Sequence, residues 1–351
     1  MSSSVDWQAA VRRAGSLAPP GPAGTPAELR ALVQVLRRAA REAPEHVGEI
    51  TGLTAAAEQV REVPVFVVDR PRWSQANVEM FSRLTDGLLP ATVVPGSSRM
   101  AAEEMGVVLA VLSTKVLGQF DPFTDDRGRL LLVAPNVRKI ERELNLDVMD
   151  FRLWVCLHEQ THAVQFAAAP WLAEHLGERM RRLVGRVSDT TDGAARLGRA
   201  LRGIVEAVSS AVAGTPASER PDELGGPLVD AFLDEEERAE LAEIVAVMSL
   251  LEGHADVVMD EVGPARLPSV RHIRAAFDKR RDGTSTGDVV LRRVLGMDAK
   301  VAQYRNGAGF VRAVVAQVGH DGLNAVWTSP EALPTAAEVA DPAAWVRRIH
   351  G

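Results

Sequence analysis

Residues 157–163 read Leu-His-Glu-Gln-Thr-His-Ala, and this stretch organises the interpretation of the whole chain. On a helix of about 3.6 residues per turn, His158 and His162 stand on one face, one turn apart, where both imidazoles can reach a single zinc ion. Glu159 follows the first histidine and can take a proton from a water on that metal. The pattern HExxH therefore predicts a helix that carries half of a zinc site; the alternative is a pair of hydrogen-bonded core histidines.

The surroundings of the motif favour a well-defined helix. Asp147 or Asp150 can cap its start, apolar residues precede the first histidine, and Pro170 marks its end. The chain has 351 residues, of which 46% are hydrophobic but only one is tyrosine, a balance that favours helices over an aromatic-rich sandwich. We therefore expect a mainly α protein with a large core.

The start of the chain predicts short helices separated by turns. The letters Thr-Pro-Ala-Glu at residues 25–28 form a capping box, from which a helix should run to about Arg41, with a further helix over residues 44–51. We assign residues 1–60 to an N-terminal helical segment packed on the main body. Residues 61–351 then form one continuous domain, since no repeat or later boundary interrupts them.

Short β-branched and apolar runs predict a little β-structure upstream of the motif. Residues 64–69 form a strand or an extended connector, and residues 119–123 and 129–135 read as strand, turn, strand. Zinc peptidases often lay an extended substrate along a sheet edge beside the metal. The hairpin is either such an edge or a purely structural ribbon, and the sequence favours neither.

A catalytic zinc needs a third protein ligand. The longer motif HExxHxxGxxH is absent, because Gln165 and Ala168 occupy its remaining positions. A strong helical pattern over residues 235–262 carries Glu252 and Asp256, which are four positions apart on a face that should be buried. We expect Glu252 to bind zinc and Asp256 to accept the free ring N–H of one histidine, fixing its tautomer.

Two other residues of the same helix compete for the role of third ligand. His254 is the residue type that zinc takes most often, but it lies about 200° around the helix from Glu252, so both cannot face one ion. Asp260 continues the acidic face and is a weaker alternative. Glu252 is preferred because Asp256 stands in register with it.

Three stretches resemble the zincin-like metallopeptidase type 2 family, bacterial proteins associated by gene context with biosynthesis of a deazaflavin coenzyme. They are residues 151–166 (FRLWVCLHEQTHAVQF), 251–256 (LEGHAD) and 67–73 (VVDRPRW). The resemblance covers most of the chain from about residue 45 onward. It implies a zincin-like helical metallopeptidase fold with a small β-hairpin or sheet upstream of the HExxH helix. By similarity to glutamate-type zincins, it also implies Glu252 as a zinc ligand supported by Asp256.

Composition excludes several other classes of protein. The formal net charge of −7 argues against a nucleic-acid partner, which would need a basic face. The single cysteine, Cys156, permits no intrachain disulfide and is expected to be a small core residue. No signal-peptide pattern and no run of about 18 apolar residues is found, so we expect a cytoplasmic protein that does not span a membrane.

These features together predict a zinc metallopeptidase that acts on a peptide or protein substrate. Glu159 would serve as general base, and the developing oxyanion would be stabilised by Tyr304, His254 or His320, none of which is favoured by its spacing. A polar loop over residues 214–227 is a candidate lid. One alternative is a non-catalytic zinc-bound structural or binding protein that assists a coenzyme pathway. Another is a helical interaction module without metal.

Overall fold

The computed structural model describes residues 5–86, 97–189, 234–282 and 307–351, and helices dominate these ranges. The first two contain α1 (Trp7–Leu17), α2 (Pro26–Thr51), α3 (Thr54–Val60), β1 (Val65–Val68), α4 (Arg70–Leu84), α5 (Ser97–Leu112), β2 (Gly118–Asp121), β3 (Arg129–Val133), α6 (Ala134–Glu143), α7 (Val148–Ala168) and α8 (Leu172–Asp189). The last two contain α9 (Glu235–Glu261), α10 (Gly263–Arg266), α11 (Val270–Asp282), α12 (Gly307–Leu323), 3-10 turns at Asn324–Trp327 and Pro330–Ala332, α13 (Ala336–Ala340) and α14 (Pro342–His350). The mainly α prediction is confirmed.

The three strands form one small sheet in the order β1-β3-β2. The predicted hairpin is present: β2 pairs antiparallel to β3, with Gly118 opposite Leu132. The stretch left open between strand and connector is a strand, since β1 pairs parallel to β3. Leu130 and Leu132 of β3 face the core around α7, whereas Leu131 and Val133 face α1, α4 and α5. Strand β2 lies at one edge of this sheet, and it contacts α7, the helix that carries the HExxH motif.

Helix α7 carries the HExxH motif through the main core. Asp147 caps it by accepting the backbone N–H groups of Met149 and Asp150, while the Asp150 carboxylate accepts from the backbone N–H of Ser269. The helix packs against α2, α3, α9 and β2, and most of its side chains are buried. Cys156 is fully buried there, as expected. Partners on several sides fix the rotation of α7 and hence the direction of its histidines.

The expected break near Pro44 does not occur, because α2 continues through it to Thr51. Proline lacks the N–H that would bond to the carbonyl four residues earlier, here that of Ala40. The amide of Gln160 on α7 donates to this oxygen at 2.7 Å. A side chain from another helix thus replaces the missing backbone donor and allows one long helix instead of two.

Helix α9 begins with a capping box between Asp234 and Glu237. It then lies against α12, and a Cβ at Gly307 would collide with the backbone of Ser249, while a Cβ at Gly253 would collide with that of Gly307. The two backbones can approach this closely only because both positions are glycine. This contact holds α9 from behind at the residue that follows Glu252.

Some predictions concern residues outside the described ranges, among them the candidate lid over residues 214–227 and Tyr304. The division at residue 60 stays a prediction, although α2 of the N-terminal segment packs in the same apolar cluster as α7. None of the helices in the described ranges is long and apolar enough to cross a membrane.

Candidate metal centre

Side chains from α7 and α9 converge on one point. The Nε2 atoms of His158 and His162 lie 3.2 Å apart. Each lies 3.5 Å from a carboxylate oxygen of Glu252, Oε2 for His158 and Oε1 for His162. In the described part of the chain these three residues form the one group of histidine, cysteine or acidic side chains whose ligand atoms meet closely enough for a metal. The structure thus brings together the three residues proposed as ligands.

The spacing of these three residues fits a zinc ion. Zinc–nitrogen and zinc–oxygen bonds of about 2.0–2.2 Å in tetrahedral geometry place neighbouring ligand atoms about 3.3–3.6 Å apart. The observed separations of 3.2 and 3.5 Å are close to that edge length. Two imidazoles and one carboxylate are also a donor set that catalytic zinc sites use. Zinc bound here would be held by protein on three sides.

The fourth side faces solvent. The Glu252 side chain is 57% exposed, whereas those of His158 and His162 are 26% and 13% exposed. Met248, one turn earlier on α9, is exposed as well. The expectation of a buried acidic face is therefore wrong at Glu252 and Met248, where the ligand set is open to solvent. Such an opening is what a substrate would need to reach the site.

Without a metal, the two histidines have different charges. Burial lowers the pKa of His158, but the Glu252 hydrogen bond and the charges of neighbouring carboxylates outweigh it and raise that pKa to about 9. Burial also lowers the pKa of His162, and the charge of His158 contributes to the decrease while Glu252 opposes it. Near neutral pH, His158 is protonated and His162 is neutral. The Nε2–H group of His158 can then donate a hydrogen bond to the unprotonated Nε2 of His162.

Glu159 is buried beside the ligands and touches the sheet. Burial, together with the charge of Glu252, raises the pKa of its carboxyl to about 7 against the opposing effect of His158. Strand β2 passes so close that a Cβ at Gly118 would lie 2.5 Å from Glu159 Cγ and 2.8 Å from its Oε1. Glycine at this position is required by the close approach. The carboxyl group of Glu159 is thus confined by the edge strand and interacts with the charge of His158.

The outer ring nitrogens of both histidines have partners, but these are not the expected ones. His158 Nδ1 lies 3.1 Å from the sulfur of Met259, and His162 Nδ1 lies 3.0 Å from Oε1 of Gln165. With the Nδ1 atoms engaged as donors, both Nε2 atoms are left to face Glu252. Nε2 is thus the nitrogen that each ring would offer to a metal, although Asp256 was expected to provide the Nδ1 partner of one of them.

Asp256 is occupied by Arg274 of α11. The guanidinium donates to the Asp256 carboxylate at 2.8 Å and to its backbone oxygen at 3.1 Å. The same arginine donates to Asp260 at 2.7 Å, and Arg312 pairs with the other Asp260 oxygen. Asp256 therefore acts on His158 through its charge, which raises the pKa of that histidine. Asp260, the weaker alternative ligand, is held in the arginine pairs and lies outside the ligand group.

The other candidates lie away from the ligand set. His254 is fully buried, and its Nδ1 accepts from Gln165 Nε2 at 3.0 Å. Its ring lies beside that of Trp327, with centroids 5.5 Å apart. Burial, reinforced by the charge of His320, lowers the pKa of His254 to about 3 and keeps it neutral. His320 bonds to Glu261, nine residues from Glu252 and about 13 Å farther along α9.

Sequence reasoning did not identify Gln165 or Arg274 as neighbours of the site, and it placed Met259 on the face of Glu252 and Asp256 without giving it a role. Gln165 was noted only as the residue that breaks the longer HExxHxxGxxH pattern. Its position three residues after His162 places it on the same face of α7 and could have served as a signal. Met259 lies seven residues after Glu252, two helical turns along the same face. Arg274 belongs to another helix, and no local pattern points to it.

Comparisons with known proteins agree with this geometry. A family model described as zincin-like metallopeptidase matches residues 5–346. A crystal structure from Chloroflexus aurantiacus, described as a candidate hydrolase with a novel fold, is similar over 98% of each chain, with 29% identity and a TM-score of 0.66. No curated protein matches the sequence. The family and the structural neighbour together support a hydrolase.

Proposed function

The chain belongs to the zincin-like metallopeptidase family, and we propose that it is a zinc-dependent peptidase. His158, His162 and Glu252 would hold the metal, and Glu159 would act as general base. One observation supports the proposal most: three ligand atoms meet at zinc spacing beside a buried carboxyl whose pKa is raised to about 7. Two core histidines that only bonded to each other would not need the carboxyl groups of Glu252 and Glu159 close by.

The reaction divides between the metal and the protein. Bound zinc would supply a more acidic water and a polarised substrate carbonyl. Glu159 would accept a proton at its carboxylate and return it to the leaving amine, and its pKa of about 7 supports this role because a base works best when its pKa is near the working pH. Gly118 confines that carboxylate, and the Nδ1 partners of the histidines keep both imidazoles oriented toward the centre.

Strand β2 is the proposed support for an extended substrate. It is an edge strand, and its first residue, Gly118, touches Glu159. An extended peptide that pairs with such an edge takes main-chain hydrogen bonds from it irrespective of sequence. Its backbone would then pass the general base. This favours the substrate-binding interpretation of the hairpin over that of a structural ribbon.

A cavity of about 210 Å³ is lined by residues of both β2 and α7. Phe120 of β2 and Phe166 of α7 form part of its wall, with ring centroids 5.6 Å apart. Ala163, one turn after Glu159, lines it as well. A volume this small suits one substrate side chain rather than a larger ligand. Most of the lining residues are apolar, with Gln59, Asp126 and Arg127 as the polar ones, which favours an apolar residue of the substrate.

The proposal is tested with protein purified without a histidine tag. Elemental analysis should give about one zinc per chain, and Glu159→Gln should keep that zinc but lose cleavage of a peptide library. Glu62→Gln, an exposed change of the same kind, is the matched control and should cleave as the wild type does.

Three results would contradict the proposal in different ways. A metal content near zero would refute the proposed metal site. Equal cleavage by the wild type and Glu159→Gln would refute the proposed role of Glu159 as general base. A zinc-loaded wild type that cleaves nothing in the library, but whose melting temperature falls sharply on chelation, would favour the non-catalytic structural alternative.

A further inference from the structure

A single buried amide joins the two helices of the candidate metal centre. Gln165 of α7 is fully buried, and its Oε1 lies 3.0 Å from Nδ1 of His162. Its Nε2 donates to the backbone oxygen of Leu251 at 2.9 Å and lies 3.0 Å from Nδ1 of His254. All the hydrogen-bonding groups of this amide thus contact either His162 or the turn of α9 that carries Glu252.

These contacts determine which atom donates and which accepts. A backbone oxygen can only accept, so the Gln165 atom that faces Leu251 must be the NH2 group. The other amide atom is then the oxygen, which can only accept, and His162 must carry its proton on Nδ1. His162 Nε2 is left with a free electron pair, directed at the point where His158 and Glu252 converge.

His254 fits the same assignment. Its Nδ1 must accept from the NH2 group of Gln165, so its proton lies on Nε2, an atom without a hydrogen-bond partner among the described residues. A positively charged His254 would carry a proton on Nδ1 and would repel the amide. The chain His254–Gln165–His162 therefore has one consistent arrangement of protons.

We propose that Gln165 is a positioning residue that holds His162 in the Nδ1–H tautomer and fixes the turn of α9 bearing Glu252 against α7. The role of Gln165 in metal affinity rests on the proposed zinc site, whereas its control of the tautomer is a property of the protein without metal. Groups that hold the outer nitrogen of a ligating histidine typically change metal affinity by about 10- to 100-fold when they are removed.

The same helix offers a matched control. Gln160 is 1% exposed, and its amide donates to the backbone oxygen of Ala40 at 2.7 Å. It differs from Gln165 in pointing away from the ligands, toward α2. A purely structural role for buried glutamines of α7 would make Gln165→Met and Gln160→Met alike in every measurement.

The experiment uses the full chain with ¹⁵N-labelled histidine and has two readouts. Imidazole ¹⁵N shifts of the metal-free protein report the tautomer of His162, and competition with a chromophoric chelator reports zinc affinity. In the wild type and in Gln160→Met, we expect a protonated Nδ1 on His162 and zinc affinities within about threefold of each other. In Gln165→Met, we expect a mixture of tautomers and an affinity lower by about 10- to 100-fold.

A second variant keeps the test valid if Gln165→Met folds poorly. Gln165→Glu retains an oxygen for His162 and should preserve the Nδ1–H signal. Wild-type shifts and affinity in a folded Gln165→Met would overturn the proposal, as would an equal loss of affinity in Gln160→Met. Failure of the wild type to bind zinc would refute the proposed function instead, and the tautomer measurement would still decide the role of Gln165.

Discussion

The continuation of α2 through Pro44 leads to a quantitative prediction about Gln160. The Ala40 oxygen has lost its backbone donor to the proline and depends on the Gln160 amide at 2.7 Å. Gln160→Met should leave this buried carbonyl unpaired, at a cost of about 1–3 kcal/mol. The substitution also removes Gln160 Oε1, a buried acceptor without a hydrogen-bond partner among the described residues, which offsets part of that cost. The net loss should be about 1–2 kcal/mol.

The physical explanation is tested by restoring the missing donor. Pro44→Ala returns an N–H to position 44, which can bond to Ala40 in the ordinary helical pattern. In that background, Gln160→Met should cost less than about 0.5 kcal/mol, giving a coupling of about 1 kcal/mol between the two positions. Urea unfolding of the four proteins with a chelator present measures the cycle. Equal costs in both backgrounds would show that Gln160 does not replace the backbone donor.

Two further predictions concern Gly118 and Cys156. Gly118→Ala would place a methyl group 2.5 Å from Glu159 Cγ, so kcat/KM should fall about 100-fold while the zinc content is unchanged. The control is Gly185→Ala, which should behave as the wild type because nothing lies within 4 Å of that position. Cys156 is fully buried, and burial raises the pKa of its thiol. A thiol reagent should therefore leave the native protein unmodified and react with Cys156 only after unfolding. Rapid labelling of the native protein would show instead that Cys156 is exposed.

Elements with local signals could be predicted from the sequence. The capping box over residues 25–28, the Asp147 cap before α7 and the hairpin of β2 and β3 all depend on residues within a few positions of one another. The continuation through Pro44 could not be predicted, because its donor comes from a residue more than a hundred positions away. Helix α6 was missed because Pro135, in its first turn, was taken as the end of a strand.

In the candidate site, too, some residues could be predicted from the sequence and others could not. The set of His158, His162 and Glu252 could be anticipated because a zinc site restricts residue type, number and helical spacing. The groups behind the ligands are less restricted, since a carboxylate, a carbonyl, an amide or a thioether can each meet an imidazole N–H. Asp256 was a reasonable choice on chemical grounds. Arg274 competes for it, and that arginine could be placed only by the packing of α11 on α9.

The outcome for His254 shows why the choice of ligand and the choice of support are linked. The angle of about 200° between Glu252 and His254 on one helix means that only one of them can face the metal. Once Glu252 faces it, His254 must point into the core, where it needs a polar partner without a charge. The amide of Gln165 meets this need and at the same time accepts the proton of His162. Substitution of either Gln165 or His254 should therefore change the orientation of the ligand His162, although neither residue is one of the proposed metal ligands.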